Sequence, residues 1–400
     1  MRTLISTSLR FGFVLAGIAS MPFAASAQSV SHAAAARPQA VYTLVDLGNV
    51  QNNWKSYGYG VNDSGQVTGQ VVTLPSSGIL VAHAFVTDPN GSSRRYLGTG
   101  PDGLPGTGRA INSSGQVAGD DYNHAFLSDP NGGTLHFLGT LPGGGRVLAG
   151  GLNASGQVTG SAATAGSTHA YLTDASGGTL HDLGTISGDA VSEGFGVNAS
   201  GQVAGHSYKN GSSDHAFLSG PNGGALHDLG SLGGSGASAY GVNASGQVTG
   251  FGFTAGSAAR HAFLSDPNGG KLHDLGGLPG KQNSIGFAVN DSGQVVGLSH
   301  DGSDSRAFVF SNGVMTDLNT LIAPNTDLGL IMTSANSISD TGYITGEAYK
   351  GSNETIHAFL LIPINAPVPE ASSVISFGLL LALGLGGFAV TRRKSAKVSA

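Results

Sequence analysis

The stretch Val242-Asn-Ala-Ser-Gly-Gln-Val-Thr-Gly250 is one of seven versions of the same motif in this chain of 400 residues. A form of His-Ala-Phe-Leu follows each version, and a form of Leu-His-Asp-Leu-Gly follows six of them. The Gln position recurs at intervals of 50, 41, 45, 45, 47 and 49 residues, a period typical of repeat architectures. The seven positions are Gln66, Gln116, Gln157, Gln202, Gln247, Gln294 and Tyr343.

One unit contains four short candidate strands separated by turn residues. In the fifth unit, Asn243-Ala-Ser-Gly246 suits a tight hairpin because glycine takes the positive φ that other residues resist. Asp266-Pro-Asn-Gly-Gly270 suits a second turn, since proline presets the first turn angle. Four antiparallel strands in about 46 residues match one propeller blade. The sequence therefore predicts an all-β fold, a seven-bladed β-propeller.

The two ends of the repeat region are complementary. An early copy of the third motif, Val41-Tyr-Thr-Leu-Val-Asp-Leu-Gly48, precedes the first unit, while the seventh unit stops after His357-Ala-Phe-Leu-Leu-Ile-Pro363 without one. The early segment can supply the outer strand that the seventh blade lacks, which closes the ring and removes exposed sheet edges. Residues 41–363 are predicted to form one closed domain. An open β-solenoid is the alternative, and it requires no such complementarity.

The composition excludes several classes of function. The chain has no cysteine, so it has no disulfide framework, thiolate metal site or cysteine nucleophile. Within residues 41–363, acidic residues outnumber basic ones by 23 to 11, a balance that repels nucleic acid. A repeat also supplies seven similar clusters where catalysis needs one asymmetric cluster. The sequence predicts no cofactor, no metal and no nucleic-acid partner.

Both ends of the chain carry signals for export. Residues 1–27 combine Arg2 and Arg10, a short apolar run and Ala25-Ser-Ala27, the pattern of a secretory signal peptide cleaved after Ala27. An N-terminal membrane anchor is the alternative. Residues 28–40 are predicted to be an unstructured leader. At the other end, a linker at 364–373 precedes a predicted transmembrane helix at 374–391 and a basic, cytoplasmic tail at 392–400.

The end of the chain resembles the PEP-CTERM sorting signal of Gram-negative bacteria. Val368-Pro-Glu370, the apolar run and the basic cluster match its three parts, although Ala371 stands where a second proline is usual. The resemblance implies export across the inner membrane and recognition by an exosortase, a membrane transpeptidase that releases or transfers the protein. A plain tail anchor is the alternative. The sorting residues are Val368, Pro369, Glu370, Arg392, Arg393 and Lys394.

The repeated units resemble the extracellular HAF repeat, named for the tripeptide His-Ala-Phe, over nearly all of residues 41–363. The family implies bacterial export and a repeat fold, with no agreed activity. We interpret the histidines as structural, since equivalent positions in adjacent blades lie too far apart to share a zinc ion. Arg306 replaces the histidine in the sixth unit. The six histidines are His83, His124, His169, His215, His261 and His357.

Residues that differ between units are better candidates for a binding site, because the shared residues are needed to build the ring. We expect an exported, noncatalytic surface or matrix protein that binds exopolysaccharide or another envelope glycan. The alternative is a propeller enzyme acting on a polysaccharide or lactone at the central mouth. The candidate ligand-binding residues are Trp54, Tyr57, Tyr59, Arg94, Arg95, Tyr208 and Lys209, with Lys55 and His206 beside them.

The sorting signal gives the first testable prediction. Mass spectrometry of the mature protein from its own host should find the C-terminus lost near Glu370, and changes at Pro369 or Glu370 should prevent this loss. The reason is that the transpeptidase is expected to cut next to the Pro-Glu motif. Recovery of an intact C-terminus through Ala400 in the membrane fraction would contradict the prediction and support the plain anchor.

Overall fold

The computed structural model describes residues 42–48, 55–73, 81–104, 106–209, 214–302, 304–326, 328–351 and 355–364. These residues form seven antiparallel sheets of four strands each, and the first strands of all seven surround a central channel. The predicted seven-bladed β-propeller is confirmed. The predicted signal peptide, leader, sorting motif and transmembrane helix at 374–391 lie outside the described residues. Within the described residues, no helix is long and apolar enough to span a membrane.

The first strand of the chain, β1 (Tyr42–Asp46), belongs to the last blade, and blades 1 to 6 follow in chain order from the channel outward. Blade 1 consists of β2 (Lys55–Val61), β3 (Val67–Thr73), β4 (Val81–Thr87) and β5 (Arg94–Tyr96). Blade 2 consists of β6 (Thr107–Ile111), β7 (Val117–Asp120), β8 (Ala125–Ser128) and β9 (Leu135–Phe137). Blade 3 consists of β10 (Val147–Leu152), β11 (Val158–Ala163), β12 (Thr168–Thr173) and β13 (Leu180–Asp182). Blade 4 consists of β14 (Val191–Val197), β15 (Val203–Tyr208), β16 (His215–Ser219) and β17 (Leu226–Asp228). Blade 5 consists of β18 (Gly233–Val242), β19 (Val248–Thr254), β20 (Arg260–Ser265) and β21 (Leu272–Asp274). Blade 6 consists of β22 (Asn283–Val289), β23 (Val295–Asp301), β24 (Asp304–Ser311) and β25 (Val314–Asp317).

Blade 7 is assembled from both ends of the repeat region. It consists of β26 (Leu330–Ile338), β27 (Ile344–Lys350), β28 (Thr355–Pro363) and, outermost, β1, which pairs antiparallel with β28 from Tyr42 opposite Pro363 to Asp46 opposite Phe359. This pairing confirms the predicted closing strand and excludes the open solenoid. Short 3-10 turns complete the described elements, at Pro89–Gly91, Ala175–Gly177, Pro221–Gly223, Ala255–Ser257, Pro267–Gly269, Leu318–Leu321 and Pro324–Thr326.

Side chains reinforce the seam where the ring closes. The Asp46 carboxylate accepts hydrogen bonds from His357 (2.8 Å) and from the Lys350 ammonium (2.7 Å), both in blade 7. Burial favours the neutral carboxyl, but these two donors outweigh it and lower the pKa of Asp46. Arg94 of blade 1 donates from Nη2 to the carbonyl of Gly48 (2.8 Å) and also to that of Leu47. The closing strand is thus fastened on both sides.

The asparagine of the repeated motif connects each blade to the next. In blade 1, Asn62 Oδ1 accepts from the backbone N–H groups of Ser64 (3.2 Å) and Gln66 (3.0 Å), which holds the hairpin. Its Nδ2 donates to the carbonyl of Asn112 in blade 2 (3.0 Å). The same inter-blade bond, at 3.0–3.2 Å, is repeated by Asn112, Asn153, Asn198, Asn243 and Asn290, the last reaching the carbonyl of Ser339.

The third strand of each blade supplies a large ring to the core. These rings are almost wholly inaccessible to solvent and occupy the space between neighbouring blades, where hydrophobic burial stabilises the fold. Tyr171 alone among them carries a hydroxyl, which donates to the carbonyl of Leu148 (3.1 Å) and so remains satisfied. The seven rings are Phe85, Phe126, Tyr171, Phe217, Phe263, Phe308 and Phe359.

The inter-blade asparagine gives a stability prediction. Asn198→Ala leaves the backbone N–H of Gln202 without its partner and removes the inter-blade bond to the carbonyl of Asn243, which keeps its bond from the Gly246 N–H. The change should lower the free energy of unfolding by about 1–3 kcal/mol. Denaturant unfolding followed by circular dichroism measures the change. Asn123→Ala, at an exposed position, is the matched control and should stay within about 0.5 kcal/mol of the wild type. Equal stability of the two variants would contradict the structural role of Asn198.

Candidate functional site

One end of the central channel opens into a cavity of about 620 Å³, which we call the funnel. Its walls are the first strands of the seven blades, and each of these strands has a β-bulge three residues before the motif Asn or its substitute. The bulged residue is left out of the strand pairing, and all seven such residues line the funnel. They are Tyr59, Arg109, Gly150, Phe195, Tyr240, Phe287 and Asn336.

The last glycine of the motif makes room for the bulge. A Cβ on Gly69 would lie 1.8 Å from the carbonyl oxygen of Tyr57, and the equivalent glycine of every other blade is equally confined. Only glycine fits at this point, because any side chain would meet the backbone of the first strand. The other six glycines are Gly119, Gly160, Gly205, Gly250, Gly297 and Gly346, whose added Cβ atoms would lie 1.9–2.2 Å from a carbonyl oxygen.

The residue after this glycine contacts the bulged residue of the same blade in five blades, and these contacts are of three kinds. Two pairs are hydrogen bonds, Gln70 to Tyr59 (3.1 Å) and Asn336 to Glu347 (3.3 Å). One is an ion pair, Arg109 with Asp120 at 3.0 Å. Two are ring contacts, Phe195 with His206 and Tyr240 with Phe251, at centroid distances of 5.2 and 6.2 Å. Because these pairs vary from blade to blade, the funnel is asymmetric.

Blades 4 to 6 form an aromatic wall. Tyr240 lies between Phe195 and Phe287, with ring centroids 5.2 and 5.7 Å apart. His206 extends the row from Phe195 to Tyr208, at 5.2 and 5.5 Å. Because the three funnel rings remain partly accessible, they present an apolar surface to any bound molecule.

Blades 7, 1 and 2 form a polar wall. Burial raises the pKa of Glu347, against the opposing effect of the hydrogen bond from Asn336. Burial and the nearby Glu347 also raise the pKa of Tyr59, so its hydroxyl remains a donor at neutral pH. The Arg109 guanidinium lies over the Tyr59 ring, 5.7 Å from its centroid, while it binds Asp120. Opposite Glu347, Glu193 of blade 4 adds a second carboxylate to the funnel lining.

The other end of the channel is less varied. A cavity of about 370 Å³ is surrounded there by the motif turns, including Asp63, Asp291 and Asp340. These carboxylates are already engaged by backbone N–H groups of the preceding blade, as in the 2.8 Å bond from Asp291 to Asp340. Burial, and then the charges of Asp291 and Asp63, raise the pKa of Asp340. In the described part of the chain, no group of three or more His, Asp or Glu side chains is placed to hold a metal ion.

The residues predicted from the sequence fall into separate places. Tyr59 lines the funnel, and Tyr57 stacks on it with ring centroids 6.1 Å apart. Tyr208 lies at the outer end of the aromatic row, and Lys209 follows it at the end of β15. Arg94 and Arg95 are not brought to the funnel, since they lie on the outermost strand of blade 1. Trp54 lies outside the described residues.

Five of the six HAF histidines contact carboxylates. Nδ1 of His169 and of His261 contacts the aspartate of the outer strand in the same blade, at 3.0 and 2.9 Å. His357 contacts the equivalent Asp46, while His124 and His215 use carboxylates of nearby loops. Where the outer strand has no aspartate, in blade 1, His83 faces the Tyr96 ring at 5.6 Å. In blade 6, Arg306 lies between Asp304 and Asp317, at 2.8 and 4.0 Å.

Comparison with known proteins shows the fold and nothing finer. No protein-family model matches the chain, and no curated protein matches it. Among solved structures it is similar to an oligogalacturonate lyase in complex with manganese, with 12% identity, coverage of 82% of this chain and 95% of the other, and a TM-score of 0.52. It is also similar to a puromycin hydrolase (11% identity, 79% and 53% covered, TM-score 0.51).

TolB from Acinetobacter baumannii is a third similar structure, with 16% identity, 65% of this chain covered and a TM-score of 0.42. The chain spans 61% of the TolB chain and 53% of the puromycin hydrolase, less than two thirds of each. At 11–12% identity, the likeness to the lyase and the hydrolase supports the β-propeller fold alone.

Several funnel residues were not predicted from the sequence, although sequence variation between the units marks their positions. When the seven units are aligned on the motif, the residue after the last glycine is different in every unit. The third residue before the Asn also varies in size and chemistry, whereas the residues on either side of it are always Gly, Ala or Ser. The missed bulged residues are Arg109, Gly150, Phe195, Tyr240, Phe287 and Asn336, and the missed partners include Gln70, Asp120, Phe251 and Glu347.

The HAF contacts predict a pH effect at His215. The hydrogen bond that His215 Nδ1 donates to the Asp189 carboxylate (2.9 Å) raises the pKa of His215, with burial opposing it. The pair therefore adds stability that is complete below the unfolded pKa of about 6.5 and is lost as the pH rises through the higher folded pKa. An NMR titration should find a lower His215 pKa in Asp189→Asn than in the wild type. An unchanged pKa would contradict the assigned contact.

Proposed function

We propose that the protein is a noncatalytic glycan-binding β-propeller that holds a short stretch of an extracellular polysaccharide in the funnel. The observation that carries the proposal is the division of one cavity into an aromatic wall and a polar wall. Sugars have apolar C–H faces and hydroxyl-bearing edges, so they match such a cavity on both sides. The volume of about 620 Å³ also lies within the range of pockets that hold small ligands.

The aromatic wall offers three rings from three consecutive blades. Since Phe195, Tyr240 and Phe287 occupy equivalent positions of a ring, they follow the curvature of the funnel and can contact successive parts of one ligand. On the polar wall, the Tyr59 hydroxyl, the Asn336 amide and the Glu347 carboxyl offer donors and acceptors for hydroxyl groups. Gly150 leaves no side chain between Arg109 and Phe195, which keeps this side of the funnel open.

Export and sorting complete the proposal. The signal peptide and the C-terminal tail address the protein to the envelope of a Gram-negative bacterium, where an exosortase-type transpeptidase would process it. The membrane helix would hold the chain until that step. A surface rich in small polar residues and poor in charge suits a protein that works outside the cell among polysaccharides.

A propeller enzyme acting on a polysaccharide or lactone is the second candidate, and Glu347 is the observation in its favour. A half-buried acid with a raised pKa, beside Tyr59, is a common arrangement for a general acid. Catalysis by this group would require turnover that Glu347→Gln abolishes while the fold remains intact. Binding without turnover supports the first candidate.

The test is calorimetric titration of the full-length chain with tetrasaccharides of neutral, amino and uronic sugars, with product analysis after prolonged incubation. At least one should bind and be recovered unchanged. Tyr240→Ala should weaken that binding by about tenfold, because a central aromatic contact is worth about 1–2 kcal/mol.

Tyr96→Ala, which removes an exposed aromatic ring from the outermost strand of blade 1, is the matched control and should leave the affinity unchanged. No binding of any tetrasaccharide, or equal losses in both variants, would contradict glycan binding in the funnel.

A further inference from the structure

The charged side chains of the funnel indicate which class of sugar it would bind. The described lining contains three charged side chains, Arg109, Glu193 and Glu347. Arg109 is the only cation among them, and its guanidinium is already paired with Asp120, which is almost wholly buried. The positive charge at this point is therefore offset by a carboxylate within blade 2.

The two glutamates have no such partner. No Lys, Arg or His in the described ranges forms an ion pair with Glu193 or Glu347, and the Glu347 carboxyl accepts one hydrogen bond, from the Asn336 amide at 3.3 Å. Arg260 lies over the Phe251 ring, 5.4 Å from its centroid, and does not line the funnel. The described lining therefore holds two carboxyl groups without a cationic partner.

We infer that the funnel selects a glycan that carries free amino groups, such as a polymer of 2-amino-2-deoxyhexose, over neutral and uronic-acid glycans. An ammonium group supplies the cation that Glu193 and Glu347 lack. It also suits the aromatic wall, because cations are attracted to the faces of Phe and Tyr rings. A uronic acid would bring a further carboxylate beside Glu193 and Glu347, and the one cation of the described lining, Arg109, already has a carboxylate partner.

The position of Glu193 strengthens the inference. It lies on β14 two residues before Phe195, and its charge, after the larger effect of burial, raises the pKa of Tyr208 and of Tyr240. A carboxylate is thus placed beside the aromatic wall, so an ammonium group on one face of a sugar can contact the carboxylate while the ring contacts Phe195 or Tyr240. Glu347 provides the second anionic contact from the opposite wall.

This inference rests on the proposed function, and one pair of probes separates the two. Glucosamine tetramer and N-acetylglucosamine tetramer have the same backbone and differ in the charge at each nitrogen. Calorimetric titration of the full-length chain should show about tenfold tighter binding of the glucosamine tetramer, a difference of about 1.4 kcal/mol. Added salt should reduce this preference, and galacturonic acid tetramer should bind more weakly than either.

Variants test the assigned carboxylates. Glu193→Gln and Glu347→Gln should each remove most of the preference for the glucosamine tetramer while retaining affinity for the N-acetylated one. Asp102→Asn removes an exposed negative charge outside the funnel lining and should retain the preference. Thermal unfolding shows whether each variant is folded.

The outcomes are distinct. Equal or tighter binding of the N-acetylated or uronic-acid tetramer would overturn the charge selection and leave glycan binding in place. The same result follows if the double variant Glu193→Gln and Glu347→Gln keeps the wild-type preference. Failure of all three tetramers to bind would overturn both the inference and the proposed function.

Discussion

The hydrogen bond from an asparagine side chain to the backbone of the next blade is the interaction on which the rest of this structure depends. The same side chain satisfies N–H groups of its own hairpin, so the turn inside a blade and the junction between blades share one residue. A buried amide of this kind is costly to leave unpaired, and its partner is the neighbouring turn. Forming one blade correctly therefore favours the correct position of the next. Blade 7 departs from the pattern, since Ser339 replaces the asparagine and Thr341 instead bonds Asp63 of blade 1.

The repeated motif also explains why the funnel can vary. Its last glycine admits the first-strand bulge, and the bulge removes one residue per blade from the strand pairing. That residue is free of the ladder, so its identity is less constrained than that of the motif residues, although in blade 7 the Asn336 amide also donates to the carbonyl of Gly58 in blade 1 (2.9 Å). The chain uses this freedom seven times, with two tyrosines, two phenylalanines, an arginine, a glycine and an asparagine. The shared motif of each unit builds the ring, and the variable bulged residue just before the motif lines the site.

Much of the fold follows from the sequence, because each shared feature has a local cause. The spacing of the motif predicts the blades, the glycine turns predict the hairpins, and the early copy at residues 41–48 predicts the closing strand. The site was less accessible to prediction. Tyr57, Tyr59 and Tyr208 were found as unusual residues near variable connections, whereas Tyr240 and Glu347 lie inside strands that look like ordinary members of the repeat. Their convergence depends on the bulge and on the curvature of the ring, and neither is visible in one unit alone. Arg94 shows the opposite error, since an unusual residue at the outer edge fastens the closing strand.

The account is tested most directly by a crystal structure of the protein with the tetrasaccharide that binds it most tightly. We expect the sugar in the funnel, with a ring face against Phe195, Tyr240 or Phe287 and polar atoms within hydrogen-bonding distance of Glu347 or Asn336. A sugar bound among the motif turns at the opposite end of the channel, or along the outer strands, would contradict the claim that the bulged residues form the site.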